Sequence, residues 1–218
     1  MQITTLGTGS SGNCYIITST NGRQIILDCG LPFNEIVTNK SFKGFDNVDF
    51  VFCGHLHKDH HLSYRDFQRS GIKCISWEEP NKSLEVGQYK IKLFNVEHNV
   101  PNCGILIKDT IENETLCYAT DFSQMPKVEG VDTWLYEINY DNSTVTKLIA
   151  KNEISMHLLN AMKNHNSLES AKEYFKNIQY KPKQIVFCHL SKGHCNHKKV
   201  LEFGKTICDN VRIAIKGE

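Results

Sequence analysis

The chain has 218 residues, 40% of them apolar, and carries 25 basic side chains against 24 acidic ones. That length and composition suit a single globular domain over 1–218, and a net charge of +1 excludes binding to nucleic acid or membrane by overall charge alone. The start "MQITTLGTG" has no basic n-region, no apolar run reaches the ~20 residues of a membrane helix, and nine scattered cysteines read as reduced core thiols, so a cytoplasmic protein is expected.

Residues 2–6, 14–18 and 24–28 are short β-prone runs separated by "GTGSSGN" and "TNGR". "VDFVFC" (48–53) has the character of a buried strand. "LSYRDFQRS" (62–70) after it has helical spacing and ends at Gly71. Three further β-prone runs follow: "YKIKLFNVEH" (89–98), "GILIK" (104–108) and "TLCYATD" (115–121). The stretch 144–164 predicts one long helix, with Leu148, Ile149, Leu158, Leu159 and Met162 roughly periodic. A second helix is expected after Asn166, whose side chain with Glu169 fits a capping box. Its apolar face would be Leu168, Ala171, Tyr174, Phe175 and Ile178. "KQIVFCHL" (183–190) is another buried strand. Strands, then helices, then strands predict an α+β fold of two packed sheets with helices outside.

The densest chemistry is "CGHLHKDHHLSYRDF" (53–67). Neutral imidazole and carboxylate are both good ligands for divalent metals. An extended segment puts His55 and His57 on the same side, and Asp59 and His60 follow where the strand gives way to a helix. One loop can thus serve two neighbouring ions, each of which needs ligands from elsewhere. His98, Asp121 and His189 each stand at the end of a strand-like run and are the candidates. Polar groups gathered on one rim of a rigid scaffold make an active site. His61 reads as a mouth residue and His157 as a structural residue of the long helix. "CHLSKGHCNH" (Cys188, His194, Cys195, His197) reads against a second zinc site, because His189 is needed elsewhere and no partner C-x-x-C exists.

The pattern H-x-H-x-D-H, a later lone His, the Asp of "YATD" and a final His after a strand resembles the metallo-β-lactamase superfamily. "ILDCG" resembles that superfamily's early strand ending in Asp. "GTGSSGNCYII", "YATDF" and "HLS" resemble a narrower group, the WalJ/YycJ-like exonucleases, with the tRNA 3′-processing endonuclease RNase Z more distant. The resemblance implies a four-layer αββα sandwich holding two divalent ions, one on His55, His57 and His98, the other on Asp59, His60 and His189, with Asp121 bridging. It leaves Zn²⁺, Mn²⁺ and Fe²⁺ open. True lactamases are exported and often place a Cys in the second set. Asp59 here is instead typical of the phosphodiesterase and thioesterase branches. "YEINYD" (Glu137, Asp141) followed by "NHNSLESA" resembles the Glu and the helix-starting His of RNase Z and the WalJ-like group. This implies that His165, oriented by Glu137, protonates the leaving oxygen. Asp59, Glu137 and His165 are therefore the residues expected to carry catalysis.

The substrate then expected is a phosphodiester, most of all in DNA, cleaved exonucleolytically. The partner is nucleic acid, DNA before RNA, or a nucleotide, with a homodimer open and no membrane. A cyclic-nucleotide phosphodiesterase is the first alternative and a glyoxalase-type thioester hydrolase the lesser one. Residues 174–201 carry six lysines and no acid. Lys192, Lys198 and Lys199 are the ones expected to track a backbone. "GTGSSGN" reads first as a hairpin turn, with Ser11 and Asn13 as its phosphate-binding alternative. Tyr64, Phe122 and Tyr140 are candidates for stacking on bases.

Overall fold

Two β-sheets lie face to face with helices on both outer sides. The computed structural model describes residues 1–79 and 81–218. The first sheet has five strands in chain order: β1 (Gln2–Gly7), β2 (Cys14–Thr18), β3 (Gln24–Leu27), β4 (Val48–Cys53) and β5 (Cys74–Ser76). The second has seven: β6 (Ser83–Val86), β7 (Tyr89–Val96), β8 (Asn102–Asp109), β9 (Glu114–Ala119), β10 (Thr133–Glu137), β11 (Gln184–Cys188) and β12 (Val211–Ile213), ordered from β12 down to β6. The helices are α1 (Phe33–Val37), α2 (Lys58–His61), α3 (Tyr64–Arg69), α4 (Asn142–Ala150), α5 (Met156–Asn164), α6 (Leu168–Lys176) and α7 (His197–Lys205). This is the αββα sandwich expected from the sequence. Among the described residues no helix is long and apolar enough to cross a membrane.

Three apolar layers hold the sandwich. Between the sheets, Tyr15, Ile25, Phe50 and Phe52 meet Leu93, Ile105, Leu116 and Leu135. Outside the first sheet, Ile16, Ile26 and Val51 are covered by Ile36 of α1 and Phe67 of α3. Outside the second, Trp134, Tyr136 and Phe187 are covered by Phe175 of α6 and Val200 of α7. Strands with both faces covered are continuously apolar, as in "CYIIT" and "QIVFC", whereas β7 alternates and points Lys90 and Lys92 to solvent. Truncating an aromatic such as Phe52 in the central layer is worth about 3–5 kcal/mol.

The chain departs from the expected elements in three places. The long helix over 144–164 is two helices, α4 and α5. Asn152 adopts a left-handed conformation (φ 59°) just past α4, and Ser155 caps α5 by accepting from the Leu158 amide at 3.1 Å. Of the five periodic apolar residues, Leu158 is buried and Leu148 packs beside it, while Ile149, Leu159 and Met162 are exposed. The cap of α6 is Ser167, not Asn166. Asn166 instead donates to the Glu137 carbonyl, and the Glu169 carboxylate accepts from the Asn142 amide. The single helix expected over 62–70 is preceded by the one-turn α2, with Ser63 between α2 and α3.

Strand direction decides where chemistry can gather. β3, β4 and β5 run parallel, as do β9 to β12, and β7 runs in the same sense as β9 because β8 is antiparallel to both. The carboxyl ends of β3, β4, β7, β9, β10 and β11 therefore open onto one rim, the position where ligands bind in open parallel sheets.

Candidate metal centre

Each strand end delivers one or two side chains to that rim. Asp28 follows β3, His55 and His57 follow β4, His98 follows β7, Asp121 follows β9, Glu137 closes β10 and His189 follows β11. Asp28, Asp121 and His189 all sit in the left-handed region, at φ 57°, 54° and 57°. That conformation costs a residue with a side chain about 1–2 kcal/mol, and such strain concentrates where function holds it. It turns the chain sharply at the strand end and aims the side chain inward. The turn at Asp121 is clamped by Asn102, whose amide donates to the carbonyls of Asp121 (2.6 Å) and Thr120 (3.0 Å). Asp59 and His60 arrive from α2, whose backbone is pressed against Gly30, which is in turn pressed against Gly12. A Cβ on Gly30 would lie 1.7 Å from the Asp59 carbonyl oxygen, and one on Gly12 (φ 131°) would lie 2.6 Å from that of Gly30.

Two sets of ligand-type atoms result, sharing Asp121. The first is His55, His57, His98 and Asp121; the second is Asp59, His60, Asp121 and His189; within each, the atoms lie inside 4.8 Å of one another. In the first, His57 Nδ1 is 3.1 Å from His55 Nε2 and 3.3 Å from His98 Nε2, and Asp121 Oδ2 is 3.5 Å from His55 Nε2. In the second, His60 Nε2 is 3.4 Å from Asp59 Oδ2 and from Asp121 Oδ1, and His189 Nε2 is 3.4 Å from Asp121 Oδ1. A tetrahedral ion with arms of about 2.1 Å needs ligand atoms about 3.4 Å apart. Both sets match that spacing, and His189 Nε2 is buried with no hydrogen-bond partner among the described residues. The residues present fit two divalent ions.

The far side of three rings fixes which nitrogen faces the centre. His60 Nδ1–H donates to Asp28 Oδ2 at 2.5 Å, His98 Nδ1–H to the Asn164 carbonyl at 3.1 Å, and His189 Nδ1–H to Glu137 Oε1 at 2.9 Å. Each leaves Nε2 for the site, as metal-binding imidazoles are usually held. Asp28 also accepts from the Tyr118 hydroxyl and, at 3.2 Å, from the Gly54 amide. The sequence flagged Asp28 only through "ILDCG"; a carboxylate ending an apolar strand was the available signal.

Charge differs between the two sets. Burial lowers the pKa of His55, and that of His98 falls to about 4, so both are neutral. Burial acts the same way on His60 and His189 but is overcome by carboxylates, Asp121 foremost. His60 is held well above its usual value and His189 is raised to about 10. Burial opposes ionisation of Asp121 and Asp59, yet the surrounding imidazoles keep both carboxyls below the usual range.

A third cluster joins Asp121, Glu137, His165 and His189. Hydrogen bonds of its own hold it together. His165 Nδ1–H donates to Glu137 Oε1 at 2.6 Å, and Glu137 Oε2 accepts from the Phe122 amide at 3.0 Å. Glu137 is fully buried, and the His165 and His189 rings stack with centroids 5.2 Å apart across its Oε1. Burial disfavours charge on His165, but Glu137 raises its pKa overall. The His165 ring is thus oriented with Nε2 left for the cleft it lines.

That cleft has a volume of about 650 Å³. Ser11 and Lys192 line it, but the other expected substrate contacts do not. Asn13 is buried; its side chain accepts from the Gly9 amide and donates to the Asp59 carbonyl (3.3 Å), with Nδ2 3.0 Å from His60 Nε2. Lys199 bonds the Ser143 hydroxyl, and Lys198 lies 3.9 Å from Glu202 along α7. Tyr64, Phe122 and Tyr140 are buried and offer no stacking face. His61 stacks on Tyr64 with centroids 5.2 Å apart, outside both ligand sets. Cys188, His194, Cys195 and His197 form no ligand cluster among the described residues. Asp141 caps α4 through the Thr144 amide and accepts from the Asn196 amide, tying the starts of α4 and α7 together. His157 is exposed and lines the cleft, against the structural role expected for it.

No protein-family model matches the sequence, and no curated protein matches it. Solved structures do match its fold. The metallo-β-lactamase fold protein YhfI from Bacillus subtilis is 18% identical, over 99% of this chain and 97% of that one, with a TM-score of 0.72. A diphosphatase from the PhnP family is 15% identical, over 99% and 95%, at 0.67. The short form of human tRNase Z is 15% identical, over 100% and 98%, at 0.64. The chain has the metallo-β-lactamase fold.

Proposed function

We propose that this protein is a dinuclear metal-dependent phosphodiesterase acting on nucleic acid, DNA before RNA, as an exonuclease of the WalJ/YycJ-like kind. The observation that carries the reading is the pair of ligand sets sharing Asp121, with His165, held by the buried Glu137, facing the same cleft. His55, His57 and His98 would hold one ion and Asp59, His60 and His189 the other, with Asp121 available to both. Zn²⁺ or Mn²⁺ suits these donors, and Fe²⁺ is compatible with them. When bound, such a pair supplies hydroxide near neutral pH and neutralises charge on the phosphate oxygens.

The protein's own groups do the rest. The buried Glu137 carboxylate holds His165 Nδ1–H and favours the imidazolium, so Nε2–H is available to the departing oxygen. As the P–O bond to that oxygen breaks, the proton passes from Nε2 to the leaving alkoxide. A general acid here is worth about 10²–10⁴ in rate. A thiolate leaving group would need no such proton, which disfavours thioester hydrolysis. A cleft of about 650 Å³ also admits a mononucleotide, and only Lys192 of the three expected lysines lines it. The second reading is therefore a cyclic-nucleotide phosphodiesterase.

The test is a panel of linear DNA, RNA and cyclic nucleotides against protein reconstituted with Mn²⁺ or Zn²⁺. Hydrolysis of linear DNA with about two ions per chain is expected. Preference for cyclic nucleotides would select the second reading, and no ion bound after loading would remove both.

A further inference from the structure

We propose that the outer wall of the cleft, where His157, Lys192 and His194 meet, is a subsite for a second phosphate of the substrate, adjacent to the one under attack. It rests on the phosphodiester reading above and deepens it. Two separate elements build this wall, α5 through His157 and the loop after β11 through Lys192 and His194. The two imidazoles lie side by side, centroids 5.6 Å apart and inclined by 38°. Among the described residues neither ring has a carboxylate partner. Among the described residues the one polar contact of the His194 ring is at Nδ1, 3.1 Å from the Ser191 hydroxyl, which leaves Nε2 for the cleft. Lys192 is exposed and has no ion pair among the described residues, whereas Lys198 and Lys199 nearby are engaged.

The charge around them selects an anion. The cleft is lined by two acids, Asp59 and Asp121, and both belong to the ligand sets. With two ions bound, no free carboxylate faces the wall, while three basic groups and the amides of Asn160 and Asn164 do. Two adjacent imidazoles repel when protonated, and a phosphate between them turns that repulsion into charge-assisted hydrogen bonds. A cyclic mononucleotide has one phosphate, which the ions would take. The subsite therefore selects substrates with a second phosphate a nucleoside away, as in a nucleic-acid strand or a nucleoside bisphosphate.

The test compares two probes by calorimetry on the two-metal protein: thymidine 3′,5′-bisphosphate and thymidine 5′-monophosphate. The bisphosphate should bind about tenfold tighter or better. In the triple variant His157→Ala, Lys192→Ala, His194→Ala the two should bind within about twofold of each other. The single variants His157→Ala and His194→Gln, should the triple not fold, should each reduce the preference at unchanged metal content. Equal binding of the probes by the unaltered protein overturns the subsite, as does a preference that survives these changes. Linear DNA against bisphosphate then separates a strand from a free nucleotide as the source. A protein that keeps the preference but hydrolyses no phosphodiester would overturn the function and support the subsite.

Discussion

The two ligand sets are built from similar side chains but stand in opposite electrostatic states. The first has three imidazoles around one carboxylate, and burial keeps His55 and His98 neutral. The second faces Asp59, Asp121, Asp28 and Glu137, and its two imidazoles hold protons instead. Carboxylate count, more than burial, separates them, since all these rings except His57 are buried or nearly so. A divalent ion in the second set takes over the charge balance that two protons provide, so binding there releases protons. In the first set the ligands are ready as they stand.

Removing the shared residue should erase the difference altogether. Asp121→Ala should lose both ions by elemental analysis and reduce activity more than ~10²-fold, since even outer partners of metal ligands are worth 10–100-fold. Asp59→Ala should empty the second set alone, leaving one anomalous-scattering peak beside His55, His57 and His98. Two surviving peaks would show that Asp59 is no ligand.

His165 lies beyond both sets, which makes it the sharpest probe of their boundary. His165→Ala should keep both ions and lower cleavage of DNA by about 10²-fold or more. A p-nitrophenyl phosphodiester, whose leaving group needs no proton, should lose far less. Loss of metal instead would make the third cluster a ligand set.

Acid should separate the two sets more gently. As pH falls, protons compete for His60 and His189 well before they compete for His98, whose pKa is about 4. As pH is lowered from about 10 toward about 4, equilibrium dialysis should show the ion of the second set lost before that of the first. The metal-free protein should show the converse in its stability. The folded pKa of His189 is raised to about 10 from an unfolded value near 6.5. Its contribution is therefore complete below about pH 6.5 and lost as pH rises through about 10. Tm of the metal-free form should fall over that window by more than that of the loaded form.

Much of this was legible before any fold was known. The spacing of His55, His57, Asp59 and His60 follows from the two-residue repeat of an extended chain and the turn after it. His98, Asp121 and His189 were legible because a polar residue ending an apolar run has to lie at a strand end. Asn152 and Ser155 carried the signal for the break between α4 and α5, masked by apolar residues whose periodicity pointed to one helix. Ile149, Leu159 and Met162 show why it misled: periodicity reports what could be buried, and these three side chains are exposed here.

The sequence by itself determined an α+β fold of two packed sheets and marked His55, His57, Asp59, His60, His98, Asp121 and His189 as ligand-type candidates, because these depend on local pattern and residue chemistry. The pairing of His165 with Glu137, 28 residues away, was carried by the family resemblance. Tertiary structure alone decided which nitrogen of each ring faces the centre, that Asn13 braces the Asp59 backbone, and that Lys198 and Lys199 turn away while His157 and His194 meet at the cleft. Such facts depend on partners far apart along the chain: Asp28 against His60, Asn164 against His98, one face of α5 against the loop after β11. Local pattern carries no record of them, because they are set by how parallel strands and their helices stack, and that is a property of the whole packed chain.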